Sequence, residues 1–517
     1  MKPANEPVRA PSKGTNPNFA TLLWMAAERW PERAGIIDDD GGIATFGALA
    51  GRAGAVAAAL RSAGVRPGDR VCILMRRGAA ASSSFFGAMA VGAITSMVNE
   101  AYRPRQIRYV LQHTGAKVLI ASDEYWTQLA GDPPDGVQRI DPDRAGPSGA
   151  FVPIERSSRD PAQITYTSGS TGLPKGVVTS HGALWAGAEI VPQYLGISAS
   201  DRIASLLPFS FVYGFSQMAC ALVTGAPLVI ERATMPLDIL EGLRRQEVTV
   251  LAGVPPLWMQ LLDGGLERAP LESLRVATCA GGRLAPELVR RLRACQPHTR
   301  LFLMYGLTEV FRSTSLPAEE VDAHPDSMGR AVPRSEVMVL REDGTSCAPG
   351  EVGELVHRGP TVALGYWQDP EGTDRVFRPN PMRAAGDADD ERVVYSGDLV
   401  KRDEAGLLYY VGRRDRMIKT LGFRVSPDEV CDVLLASGLV SEAAVTSEPD
   451  RQRGALIVAH VCLRPEATLL DLKRFSGMEL PRYMQPARFQ LHAALPRNAT
   501  GKIDLLALSG SRPEGSA

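Results

Sequence analysis

The chain lacks an excess of charge of either sign. Its 517 residues carry 57 Lys plus Arg against 58 Asp plus Glu, a formal net charge of -1. That balance leaves no footprint for nucleic acid, which shows as a strong basic excess. Paired cysteines are missing too. The seven present are scattered, and none stands in a C-x-x-C pair. Neither a zinc ribbon nor a disulfide framework is indicated, and scattered thiols suit a cytoplasmic protein. Residues 1–18 are polar and contain no apolar core for a signal peptide. One charge-free run, 78–99, is broken by Ser82, Ser83, Ser84, Gly87, Gly92, Thr95 and Ser96. It reads as a buried helix and then a buried strand rather than a membrane span, so no integral membrane association is expected. A G-x-S-x-G elbow is absent, which argues against a serine hydrolase. Arginine greatly outnumbers lysine, so each lysine is worth noticing, above all Lys175 and Lys502 in glycine-marked segments.

What is present is alternation. A chain this long exceeds one ordinary core, so two or more lobes are expected. Thr45 caps a helix that Gly64 ends, with Leu49, Val56 and Leu60 near one face. Then come the strand in "VRPGDRVCILM", the uncharged helix, the "GAITSMVN" strand, the "PRQIRYVLQHTG" helix and the "AKVLIAS" strand. A second such run extends from "DRIASLLPF" to "RLFLMYG". Alternating helices and apolar strands mean parallel sheets covered on both faces. From about Ser335 the pattern becomes alternating strands with turn glycines, a small β-rich lobe. After Asp415 a mixed α+β unit follows, beginning with the helix "SPDEVCDVLLASG", where Ser426, Pro427 and Glu429 form a start signal and Gly438 a stop. The fold class is α/β: a large domain of two α/β lobes and a small β lobe over residues 1–412, then a small C-terminal domain over 416–517, with a hinge at 413–416.

The most informative segment is "YTSGSTGLPKGV". Gly169, Gly172 and Gly176 permit tight turns. The hydroxyls of Thr167, Ser168, Ser170 and Thr171, with backbone N–H groups, can surround phosphate oxygens, and Lys175 adds a positive charge. It is not a Walker loop, which requires Gly-Lys-Ser/Thr. This pattern, Thr-Ser-Gly-[ST]-Thr-Gly-x-Pro-Lys-Gly, resembles that of the AMP-forming adenylating enzymes: acyl-CoA synthetases, adenylation domains and beetle luciferases. The resemblance covers nearly the whole chain, because further motifs follow in the family's order.

In "MYGLTEV" the resemblance assigns Tyr305 and Gly306 to the adenine, Thr308 to the phosphates and Glu309 to Mg²⁺, a hard cation suited to a carboxylate. In "YSGDLV" it assigns Asp398 to the ribose hydroxyls, and in "CAGGRL" it places Gly281 and Gly282 at the adenine wall. In "GRRDRMIKTLGFRV" Arg413 matches a ribose contact and Asp415 the hinge; Lys419, Gly422 and Arg424 belong to the segment used in the thioester step. Arg416 departs from the family's second acidic hinge residue. In "LPRNATGKID" Lys502 matches the catalytic lysine, whose ammonium stabilises charge building on the α-phosphate. The implied substrates are ATP, a carboxylic acid and coenzyme A, with Mg²⁺.

For the acid, "LPFSFVYGFSQ" supplies Phe209, Phe211, Val212, Tyr213 and Phe215 to the implied acyl pocket. The segment holds no Asp or Glu to pair with an α-ammonium group, which turns the reading away from amino acids and toward a bulky apolar acid. Arg312 either faces this site or pairs with an acidic neighbour. "PFSFVYGFSQ", "LAGVPPLW" and "VHRGPTVALGYWQDPE" look like bacterial acyl-CoA ligases of the exosortase-associated and natural-product type. Two alternatives stand beside an acid–CoA ligase: an adenylating enzyme whose acceptor is a carrier-protein thiol or an amine, and an inactive ATP-binding regulatory protein. The intact set Lys175, Glu309, Asp398 and Lys502 argues against the second.

Overall fold

The computed structural model describes residue 8 and residues 17–129, 134–146, 148–167, 174–383, 391–413, 418–425, 427–496, 503 and 505–510. The chain forms two compact units. The large one comprises Met1–Glu100, Arg108–Tyr166 and Gly176–Gly412. The small one comprises Arg413–Ala517 with Ala101–Ile107 and Thr167–Lys175.

The large unit is built on three sheets. In the seven-stranded sheet the order runs Gly365–Tyr366, Lys175–Ser180, Pro161–Thr167, Ile94–Met97, Arg70–Leu74, Val118–Ala121 and Gln138–Ile140. Its central strands are apolar and parallel: Arg70–Leu74 lies between Ile94–Met97 and Val118–Ala121. Helix Phe46–Ser62 covers this lobe. The Thr45 hydroxyl accepts from Ala48 N at 3.1 Å, and Leu49, Val56 and Leu60 are buried. The charge-free run becomes helix Ala79–Ala90 and strand Ile94–Met97, both buried. The two helices pack closely at Gly87, where a Cβ would stand 2.6 Å from the Ala53 carbonyl oxygen. Among the described residues no helix is long and apolar enough to cross a membrane.

The second sheet has nine strands. Its parallel centre runs Arg300–Tyr305, Val276–Cys279, Val250–Gly253, Ile203–Ser205 and Leu228–Ile230. Beyond Leu228–Ile230 it gains a hairpin, Ala34–Ile37 with Ile43–Thr45, that the sequence reading passes over. Two helices also escape that reading, His181–Leu195 and Val212–Thr224. They are apolar nearly all round and pack on one another, so neither shows an amphipathic period. The β lobe pairs Glu336–Leu340, Val352–Arg358, Arg392–Arg402 and Phe377–Pro379 in order, with Leu408–Arg413 on Arg392–Arg402.

In the small unit the hairpin Val440–Asp450/Gly454–Leu463 takes Arg488–Leu491 as a parallel third strand. Helices Pro427–Ala436 and Leu469–Glu479 cover it through Val430, Leu434 and Leu472. The helix starts at Pro427 as its sequence implies; Ser426 lies outside the described residues.

In the large unit His181 ties the N-terminal segment to the core. It is fully buried, and its Nδ1 accepts from the Phe19 backbone N–H at 3.0 Å. Burial first, then the Arg156 cation, lowers its pKa from 6.5 to about 4. Between those values the unfolded chain binds a proton that the folded chain refuses. The stability involved is present in full above pH 6.5 and is lost as pH falls toward 4, by up to about 3 kcal/mol. Urea unfolding at stepped pH is expected to show this slope. His181→Asn, whose amide oxygen can still accept from Phe19, is expected to flatten it; an unchanged slope would exclude His181 as a source.

Candidate active site

Strands of a parallel sheet end together, and their carboxyl ends leave a crevice where backbone groups are free to meet a ligand. Gly281 and Gly282 follow strand Val276–Cys279, and Tyr305 and Gly306 end and follow the adjacent Arg300–Tyr305, so all four stand at that edge. Gly281 takes φ +80°, a conformation glycine adopts at little cost. Gly306 is required by space: a Cβ there would lie 2.8 Å from the Phe311 carbonyl oxygen.

The segment after Gly306 is a short 3₁₀ turn, Thr308–Val310. Leu307 and Val310 point down into a cluster with Val177, Phe377 and Val394, which leaves Thr308 and Glu309 half-buried at the surface of the crevice. Glu309 is held from the side, because the Tyr366 hydroxyl donates to its Oε1 at 2.8 Å. Tyr366 belongs to the strand paired with Lys175–Ser180, so this bond joins the turn to the seven-stranded sheet.

Asp398 is brought to the same place by the β lobe. It is fully buried in strand Arg392–Arg402, and the Tyr305 hydroxyl donates to its Oδ2 in a short hydrogen bond. The turn that presents it is fixed locally. Asp398 N donates to Ser396 Oγ at 3.0 Å, Ser396 Oγ donates to the Leu355 carbonyl at 2.6 Å, and Gly397 N donates to Glu354 Oε1 at 3.0 Å. His357 stacks on Tyr305, ring centres 5.8 Å apart at 18°. Burial lowers its pKa to about 4, against the pull of Asp398, so the ring is neutral at pH 7. Sequence reasoning missed both His357 and Tyr366. The only signal for His357 was a histidine at an inward position of an alternating strand.

The structure thus gathers Tyr305, Gly306, Glu309 and Asp398 by direct contact or adjacency. Thr167 ends strand Pro161–Thr167 and Lys175 begins strand Lys175–Ser180; Ser168, Gly169, Ser170, Thr171 and Gly172 between them lie outside the described residues. So do Asp415 and Lys502. Arg413 ends strand Leu408–Arg413. In the small unit Lys419 stands directly opposite Arg424 in a hairpin whose turn is Leu421–Gly422, with φ +52° and +81°.

The implied acyl segment divides. Phe209 and Phe215 are buried in the core, Phe215 against Phe85 and Phe311. Phe211, Val212 and Tyr213, at the start of helix Val212–Thr224, keep surface to offer. The Tyr213 hydroxyl bonds Thr278 Oγ1 at 2.6 Å, which sets it at the end of strand Val276–Cys279. The aromatics are not charge-free in space: Arg312 lies over the Tyr213 ring, 4.6 Å from its centre.

Residues 23–367 match the AMP-binding enzyme family, and residues 429–502 match the AMP-binding enzyme C-terminal domain. The chain is 30% identical over 501 residues to an L-proline–[L-prolyl-carrier protein] ligase of Pseudomonas fluorescens, covering 93% of this chain and 96% of that protein. It is 30% identical to a sulfoacetate–CoA ligase of Cupriavidus necator, covering 95% and 97%. Its fold resembles that of an o-succinylbenzoate CoA synthetase from Bacillus subtilis, bound there to a product analogue, with TM-score 0.85, 26% identity and coverage of 95% and 98%.

The Tyr305–Asp398 bond can be weighed directly. Tyr305→Phe keeps the ring on His357 and removes one donor from a buried carboxylate, a loss of about 1–3 kcal/mol. In a double-mutant cycle by urea unfolding, Tyr305→Phe with Asp398→Asn is expected to lose less than the sum of the single changes. Strict additivity would count against the bond.

Proposed function

The chain belongs to the AMP-binding enzyme family and is an adenylate-forming ligase; on that premise we propose that it activates a carboxylic acid with ATP, releases pyrophosphate, and passes the acyl group to coenzyme A. The observation that carries this reading is the Tyr305–Asp398 contact, which unites two motifs almost a hundred residues apart (398 − 305 = 93) at one sheet edge. In this reading the Asp398 carboxylate receives the ribose hydroxyls and Thr308 meets the phosphates.

Glu309 fits a hard divalent ion. Its carboxylate is oriented by Tyr366 and half-exposed to the crevice. Among the described residues no cluster of three His, Cys, Asp or Glu could hold a metal without help. Mg²⁺ binds through one or two carboxylates and phosphate oxygens together, and Glu309 is a carboxylate of that kind. When bound, it would neutralise phosphate charge; Glu309 would hold it, and Lys175 would add a second positive group.

Lys502 is proposed as the group that stabilises charge on the α-phosphate oxygens as the carboxylate attacks. Lys419 and Arg424, opposite one another in register, form a cationic pair on one face of their hairpin, suited to the thioester step and its phosphate-bearing acceptor. An acid with a bulky, largely apolar body is favoured, since Phe211, Val212 and Tyr213 offer apolar area to be removed from water. The similarity to a carrier-protein ligase supports a carrier thiol as the second reading of the acceptor.

Two measurements test this. Lys502→Ala is expected to slow acid-dependent pyrophosphate release by about 10²–10³, while thioester formation from premade acyl-adenylate suffers much less. Equal damage to both half-reactions would remove the lysine from its proposed role. With wild-type protein, a panel of acids with ATP and Mg²⁺ is expected to yield acyl-CoA when CoA is added. Turnover only with a carrier protein, or only with an amine, would replace CoA as the acceptor.

A further inference from the structure

Arg312 follows the Thr308–Val310 turn through Phe311, whose φ of 59° and ψ of -70° reverse the chain. The reversal carries the Arg312 side chain inward, to 4% exposure. Its guanidinium lies over Tyr213 and stands near Tyr194, whose hydroxyl donates to Met304 Sδ at 3.0 Å. Cys220 is a third neighbour. Burial pushes the Cys220 thiol up to about 12 and raises both phenols, in each case against the pull of Arg312. These three neighbours of the cation are therefore neutral at pH 7.

The acidic neighbour that the sequence left open is not found: among the described residues no carboxylate pairs with Arg312, and its Nε and Nη2 are buried without an acceptor. Guanidinium keeps its proton even when buried. Burying it without an anion costs more than one cation–π contact returns. The geometry of the two unsatisfied atoms is informative. Nε–H and the adjacent Nη2–H project from the same edge of the guanidinium, the side that receives an oxyanion through two parallel hydrogen bonds.

We propose that the acid substrate carries a second, permanently anionic group, a carboxylate or sulfonate, and that Arg312 receives it. The substrate class is then a dianionic acid with an apolar body lying along Tyr213. This rests on the adenylating reading and narrows its acid. The reacting carboxylate is a poor partner for the guanidinium, because it loses its charge on adenylation; gripping it as an anion would favour the ground state over the transition state. A distal anion keeps its charge through both half-reactions.

The test uses acid-dependent exchange of pyrophosphate into ATP. Matched acids are compared: cyclohexanecarboxylate and phenylpropionate, each with counterparts bearing a second carboxylate or a sulfonate on the ring. Wild type is set against Arg312→Met, with Arg312→Lys retaining charge but not the two-pronged edge. The wild-type kcat/KM ratio of dianionic over monoanionic acid is expected to exceed about 10³, as for sites built to hydrogen-bond one substrate group. Arg312→Met is expected to cut that ratio at least tenfold, with Arg312→Lys between. A smaller change, or a wild type that prefers the monoanionic member, overturns the proposal while leaving the adenylating reading intact. Exchange with no acid at all sinks that reading and the proposal with it. The carboxylate and sulfonate arms separate the two anions. Thermal melting supplies a readout independent of turnover: ligand-free Arg312→Met is expected to melt above wild type, and a lower melting point would show that Arg312 is already satisfied within the fold.

Discussion

A carboxylate buried without solvent must be supplied with hydrogen-bond donors, and the site is organised around meeting that requirement at Asp398. One donor comes from Tyr305, which belongs to a different sheet. The bond can form only if the β lobe is docked on the carboxyl edge of the nine-stranded sheet, with the Ser396–Leu355 and Gly397–Glu354 contacts holding the turn. His357 completes the arrangement by stacking on Tyr305 as a neutral ring. The Glu309–Tyr366 bond does the same for the third sheet. Two tyrosine hydroxyls thus link three sheets at the place where the motifs meet.

Much of this was legible because it rests on local rules. Thr45 capping its helix, the apolar parallel strands and the glycines closing turns each follow from a few neighbouring residues, and the structure has them where the sequence puts them. The helices His181–Leu195 and Val212–Thr224 were illegible for the converse reason. Buried on all sides, they carry no polar face, and without a polar face there is no period to read. The roles of His357 and Tyr366 were hidden differently. Each depends on a partner far along the chain, Tyr305 and Glu309, and no spacing encodes that meeting. The family resemblance supplied Asp398 and Glu309 but not the residues that hold them.

The acyl segment shows the limit of reading charge along a chain. "LPFSFVYGFSQ" contains no charged residue, which suggested an uncharged wall. The backbone at Phe311, in a region of φ that bulky side chains seldom occupy, folds Arg312 onto Tyr213 from about a hundred residues away (312 − 213 = 99). Gly187 makes room for this: a Cβ there would stand 2.7 Å from the Phe311 ring. Segment composition described Tyr213 and left out the cation that lies over it.

The hairpin Ala34–Thr45 has a consequence for the order of assembly. Ile36 finds its parallel partner in Leu228, and 192 residues (228 − 36) separate them. On a ribosome adding about 5–20 residues each second, some 10–40 s pass between the emergence of the two. During that interval the seven-stranded sheet's inner strands, all from residues 70–180, can close on themselves, while the earlier hairpin waits with an edge unpaired. The nascent chain therefore sets its strands out of the order in which they are made, and its first strand meets Leu228–Ile230 only after strands 70–180 have emerged.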